Sequence, residues 1–164
     1  MITINGPSKT ESLSGFRLGA AFGASEIIDR MEKLQAIMSL RCPGYNQAVF
    51  FRWFSEPEGW LSARIAAHRR IRDDLMAVLS GADGVSARAS DGGSYLFVTL
   101  PELEVPLHDF IAAVRRLAGV IVTPGTEFGP GFVHQFRINF SQDHDNAVNA
   151  LKRLLTVMER YRKN

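Results

Sequence analysis

The chain has 164 residues, 46% of them apolar and 22% charged, which suits one folded domain or little more and excludes a disordered chain. A net charge of +2 is too small to argue for a nucleic-acid partner, and no apolar run approaches the ~20 residues of a membrane helix. A single cysteine, Cys42, excludes an internal disulfide and any multi-cysteine metal site; it reads as a small buried apolar residue in a chain expected in the reducing cytoplasm, with no signal peptide.

Residues 2–4 and 17–22 read as neighbouring strands joined by the loop Asn5-Gly6-Pro7-Ser8-Lys9-Thr10, in which Gly6 and Pro7 are turn formers. A helix is expected from Ser25, an N-cap residue type, with Glu26 in its first turn. Its spacing puts Ile27, Met31, Leu34 and Met38 on one face, and Pro43-Gly44 ends it. A second helix is predicted over 45–54, broken by Glu56-Pro57-Glu58-Gly59. A long helix follows over 60–79, with Leu61, Ile65, Leu75 and Leu79 as its apolar stripe and Gly81 as the stop.

Strands are predicted over 85–88 and 95–100. Pro106 suits a helix first turn; Leu107, Ile111, Val114 and Ala118 give that helix its face and Gly119 its C-terminal cap. Val120-Ile121-Val122 reads as a short buried strand ended by Pro124-Gly125. Beyond the loop Gly129-Pro130-Gly131, residues 133–140 alternate, with His134, Phe136, Ile138 and Phe140 on one face and Gln135, Arg137 and Asn139 on the other. Ser141 caps a last helix that buries Ala147, Leu151, Leu154 and Met158. From residue 60 onward the order is helix, two strands, helix, two strands, helix, which suits a two-layer α+β domain with helices on one face of a small sheet. Residues 1–24 stand outside that pattern and look like strands of a larger sheet.

Three clusters bear on chemistry. Lys9 sits in a loop rich in Gly, Pro, Ser and Thr, whereas the other lysines lie in helix-like stretches. A lysine held by backbone can form a Schiff base with a carbonyl, and Arg17 beside hydroxyls and loop N–H groups suits a phosphate. The plainer alternative is an exposed loop lysine and an edge-strand arginine. A Walker-type phosphate loop is disfavoured, because Ser8 stands where the glycine before the lysine is required. Arg137, on the polar face of its strand and downstream of a Gly-rich loop, suits a bidentate carboxylate clamp or a solvated sheet face. His68-Arg69-Arg70-Ile71-Arg72, followed by Asp73-Asp74, reads better as a solvated helix face with ion pairs than as a nucleic-acid patch. The four histidines show no metal-ligand spacing, and no metal site is expected.

The segment Gly6-Pro7-Ser8-Lys9-Thr10-Glu11-Ser12-Leu13-Ser14-Gly15-Phe16-Arg17-Leu18-Gly19 resembles the lysine segment of the class I/II aminotransferases, fold-type I pyridoxal-phosphate enzymes. The likeness continues in order through Ser25-Glu26-Ile27-Ile28, Asp91-Gly92-Gly93-Ser94-Tyr95-Leu96-Phe97, Thr123-Pro124-Gly125, Phe128-Gly129-Pro130-Gly131 and Phe136-Arg137-Ile138-Asn139-Phe140. It implies that Lys9 falls where the family's lysine forms a Schiff base with pyridoxal 5′-phosphate and moves the substrate α-proton. By the same likeness Arg17, with Ser8 as a neighbour, falls where the cofactor phosphate is held, and Arg137 where the substrate α-carboxylate is clamped. Several relatives carry a hydroxyl residue where Gly6 stands, a departure that puts one phosphate contact of the family pattern in question.

The resemblance also implies an architecture. Residues 1–24 would be terminal strands and the lysine loop of the large cofactor domain, residues 25–59 connecting helices, and residues 60–164 a C-terminal small domain with a mostly antiparallel sheet. The family's upstream half carries the glycine-rich phosphate loop, the aromatic residue on the cofactor ring, and the asparagine and aspartate at its polar atoms. The expected function is therefore that of a C-terminal fragment of an aminotransferase acting on an α-amino acid and an α-keto acid, inactive in isolation and homodimeric when complete, without nucleic-acid or membrane partners. The alternative is a non-catalytic aminotransferase-like module for binding or dimerisation.

Overall fold

A computed structural model of the chain describes residues 1–53 and 55–163. These divide into two compact units, Met1–Ala63 and Arg64–Asn164.

In the first unit, strands β1 (Ile2–Asn5) and β2 (Ala20–Gly23) form a two-stranded antiparallel ladder with Ile2 opposite Gly23 and Asn5 opposite Ala20. The lysine loop joins them. The second strand is shorter than the spacing predicted, and Arg17 lies outside it. The amides of Phe16 and Arg17 turn back to the carbonyls of Leu13 and Ser14 in a 3₁₀ turn, Ser14–Phe16, so this stretch cannot enter a ladder. Helix α1 (Ser25–Met38) is capped one residue earlier than expected: Ala24 is the N-cap and no side chain caps the helix, so Ser25 is already inside it. None of the α1 side chains is buried; Leu34 is 51% exposed and Met38 82%. The helix expected over 45–54 is a short helix, α2 (Gly44–Gln47), running into a 3₁₀ turn, Ala48–Phe51; Phe54 lies outside the described residues. Cys42 is half-buried rather than buried. The few buried side chains here include Pro7, Leu18 and Trp53, with the Phe50 and Trp53 rings 5.3 Å apart.

The long helix α3 (Trp60–Ser80) runs from the first unit into the second. Its apolar stripe is buried only in the second half, at Ile71, Leu75 and Leu79, whereas Leu61 and Ile65 are exposed. Strands β3 (Ser86–Ala87), β4 (Tyr95–Thr99), β5 (Thr123–Pro124) and β6 (Gln135–Asn139) form an antiparallel sheet in the order β3-β4-β6-β5. The β4–β6 pairing extends through Leu100 N–H to the His134 carbonyl, 2.8 Å, and Phe140 N–H to the Ser94 carbonyl, 2.9 Å. Alternation decides the faces: Leu96, Val98 and Phe136, each at most 1% exposed, point to the helices, and Tyr95, Phe97 and Arg137 to the opposite side. Phe110 and Val114 of α4 (Leu107–Ala118) and Leu154 and Met158 of α5 (His144–Met158) complete this core, each fully buried. The arrangement is the two-layer α+β fold expected from residue 60 onward.

Local details differ from expectation for physical reasons. Val120-Ile121-Val122 is not a strand. Its branched side chains Val120 and Val122 reach half-burial against the core without a ladder, and Ile121 is 80% exposed. Pro106 is the N-cap of α4 rather than its first residue, and Gly119 closes the helix at φ 65°. Arg153 Nε donates to the Ala118 carbonyl, 3.0 Å, satisfying one of the carbonyls that end α4. Asp143, not Ser141, caps α5, its carboxylate accepting from Asn146 N–H at 3.0 Å. Ser141 Oγ instead lies 3.0 Å from His68 Nε2. Beside it, His144 lies 2.6 Å from Asp74 of α3 and 2.8 Å from Asp145, and these carboxylates, Asp74 foremost, raise its pKa above the ordinary histidine value. In the basic stretch of α3, Arg72 pairs with Asp73 at 2.7 Å and Arg70 with Asp74 at 3.9 Å, the ion-paired surface that the sequence suggested.

Candidate functional site

The lysine loop is held by its own backbone. Leu13 N–H donates to the Pro7 carbonyl, 3.1 Å, and Ser12 N–H to the Lys9 carbonyl, 3.3 Å, which folds the chain around Lys9. Asn46 Nδ2 donates to the Phe16 carbonyl, 3.0 Å, tying the loop's far end to α2. Pro7 is buried and Ser8 half-buried, while Lys9 and Arg17 are exposed.

Two non-glycine residues of this loop, Ser12 at φ 58° and Arg17 at φ 51°, adopt the left-handed conformation. Such residues cost about 1–3 kcal/mol each and persist where the surroundings enforce them, often at ligand sites. At Arg17 the conformation lets the guanidinium Nη1 fold back to the Ser14 carbonyl, 3.0 Å. Gly6 also has a steric reason, since a Cβ there would lie 3.1 Å from the Leu18 carbonyl oxygen. A side chain at this position would therefore be crowded.

Arg137 belongs to the second unit. It stands mid-strand in β6, opposite Phe97 of β4 on one side and Thr123 of β5 on the other. It is half-buried, its guanidinium carbon 4.4 Å from the centre of the Tyr95 ring and 4.8 Å from that of Phe128. Phe128 comes from the 3₁₀ turn Gly125–Phe128. Gly125 at its start is packed so closely that a Cβ would meet the carbonyl oxygens of Phe132 and Gln135 at 2.5 and 2.6 Å. Tyr95 and Phe128 were not singled out by sequence reasoning as neighbours of Arg137. The alternation of β4 puts Tyr95 on the arginine's face and was the available signal; nothing local announces Phe128. Among the described residues no group of histidine, cysteine and acidic side chains could hold a metal ion.

The model of the family "Aminotransferase class I and II" matches residues 1–154. The chain belongs to the class I and II aminotransferase family. A solved aspartate aminotransferase from Rhodobacter sphaeroides 2.4.1 superposes with a TM-score of 0.94 at 58% identity, covering 99% of this chain and 41% of that one. The aspartate aminotransferase of Rhizobium meliloti (strain 1021) is 29% identical over 97% of the chain and 41% of its own length. The LL-diaminopimelate aminotransferase of Oleidesulfovibrio alaskensis is 24% identical over 95% of the chain and 40% of its own length. The chain thus spans about two fifths of the length of these aminotransferases. The resemblance drawn from the ordered motifs holds, and so does the α+β fold class that it implied.

Proposed function

We propose that the chain is the C-terminal part of a pyridoxal 5′-phosphate-dependent aminotransferase that moves an amino group between an α-amino acid and an α-keto acid. Residues 1–24 then belong to the large cofactor domain, residues 25–59 link it onward, and residues 60–164 are the small domain. The complete enzyme is taken to be a cytoplasmic homodimer without nucleic-acid or membrane partners. The observation that carries the reading is the lysine loop: an amine, a hydroxyl and a guanidinium on one backbone-braced turn with two left-handed residues.

This donor set fits the cofactor. Lys9 would attach its aldehyde carbon, and Arg17 and Ser8 would hold its phosphate. Pyridoxal phosphate, when bound, supplies an electron sink for negative charge at the substrate α-carbon. The Lys9 amine takes the proton from the α-carbon of the amino acid and, in the reverse half-reaction, delivers one to the α-carbon of the keto acid. Arg137 binds the α-carboxylate through two parallel N–H donors and thereby orients the bonds at the α-carbon.

In the full-length enzyme, Lys9→Ala is expected to abolish transamination, while Arg17→Ala mainly weakens cofactor binding. Turnover near that of the parent in Lys9→Ala would overturn the assignment. The 164-residue chain by itself is expected to be inactive and to retain no cofactor, because the rest of the cofactor site is expected in the family's other three fifths. Borohydride-stable labelling of Lys9 at micromolar pyridoxal phosphate would contradict this. A full-length protein that develops no cofactor absorption band would favour the non-catalytic module instead.

A further inference from the structure

Arg137 spends none of its donors on another group of the protein among the described residues. Among the described residues no carboxylate pairs with it and no acceptor meets its N–H groups; what touches it is aromatic. A guanidinium donates hydrogen bonds only from its edge, and its two faces are weakly hydrated. The guanidinium carbon lies over both rings, which attract the cation and shield that side of it from water, so a partner is met by the N–H groups turned away from them. The rings are themselves fixed. Phe97, the cross-strand neighbour of Arg137, meets Phe128 edge-on at 5.7 Å and Phe132 at 5.3 Å. Tyr95 is anchored in β4, and Phe128 is the last residue of the turn that the tight packing at Gly125 holds down.

We infer that Tyr95 and Phe128 are positioning residues for Arg137: their rings hold its guanidinium in one plane, so that the N–H edge is set in advance for a carboxylate. The inference rests on the proposed role of Arg137 and adds the device that aims it. A carboxylate then meets a fork that has little side-chain freedom left to lose.

The test is a nitrogen-15 NMR titration of the 164-residue chain with succinate, following the arginine Nε–H signals, with the Arg137 signal assigned by its loss in Arg137→Lys. The parent Arg137 signal should be displaced by the ring currents and should saturate with succinate, unlike those of surface arginines. Tyr95→Leu and Phe128→Leu should each weaken the response about twofold to fivefold and return the signal towards the ordinary position, while Tyr95→Phe keeps both. Phe128 is 45% exposed, so Phe128→Leu serves even if Tyr95→Leu fails to fold. A parent Arg137 signal that responds no more than the surface arginines overturns the carboxylate role, and this inference with it. A parent that responds, with a leucine variant responding as strongly at an unmoved position, overturns the positioning role alone. Equal losses in Tyr95→Phe and Tyr95→Leu would also overturn it, because the hydroxyl rather than the ring would then be responsible.

Discussion

Helices α1 and α5 are nearly equal in length, 14 and 15 residues, and both carry apolar side chains at helical spacing. Helix α5 buries five of its residues, among them Leu151, Leu154 and Met158, whereas α1 buries none. The same contrast separates the two units: Arg64–Asn164 has a continuous core linking three helices and the four-stranded sheet, and Met1–Ala63 has a two-stranded ladder and a handful of buried side chains. An apolar stripe in a sequence says that a face requires cover. It does not say that the same stretch of chain supplies that cover. Two strands without a third or a packed helix are marginal in water, and most helical stability comes from packing rather than propensity.

The widest expected difference is in hydrogen exchange of the isolated chain. The amides of β1 should exchange through openings costing little free energy, while those of Leu96 and Val98 should need global unfolding of their unit. Exchange at Ile4 as slow as at Val98, in a proven monomer, would break the comparison.

Core truncation sharpens it. Phe110→Ala removes a fully buried ring that also packs edge-on against Tyr161 at 6.2 Å, and should cost ~3–5 kcal/mol in denaturant unfolding. Asp143→Ala removes the side-chain cap of α5 and should cost about 1 kcal/mol by the same measurement. In α1, Leu34→Ala should change stability by no more than about 0.5 kcal/mol; a loss near that of Phe110→Ala would mean that α1 is packed after all.

The join between α3 and α5 should also depend on pH. The pKa of His144 is raised in the folded state by Asp74 and Asp145, so its contribution is fully present below the unfolded value of 6.5 and fades as pH rises through the higher folded value. Thermal melts at pH 6 and pH 8.5 should show the parent losing more stability across that interval than His144→Asn. An equal change in both would remove His144 from the account.

Much of the second unit was legible in the residues themselves. The alternation over 133–140 put Phe136 and Phe140 inward and Arg137 outward, and the structure has them so, because a strand's side-chain period leaves no other choice when one face is buried. The helix face of α4 and its glycine cap were equally readable. Where propensity had to decide alone, it misplaced the details. Ser25 and Ser141 looked like caps, but Ala24 and Asp143 hold those positions. Val120-Ile121-Val122 looked like a strand, but branched side chains can be half-buried from coil.

The residues proposed for the chemistry were readable in the sequence alone: Lys9 in a loop, Arg17 downstream of it, and Arg137 on a strand's polar face. The ordered motifs around them were enough to place the chain in its family. What surrounds those residues was decided by tertiary structure. The left-handed turn that takes Arg17 out of a strand depends on hydrogen bonds back to Ser14. The aromatic setting of Arg137 depends on a turn that brings Phe128, nine positions upstream, to the same ring cluster as Tyr95 of another strand. Periodicity reports the face on which a side chain leaves the backbone; only the fold brings together residues that are distant along the chain.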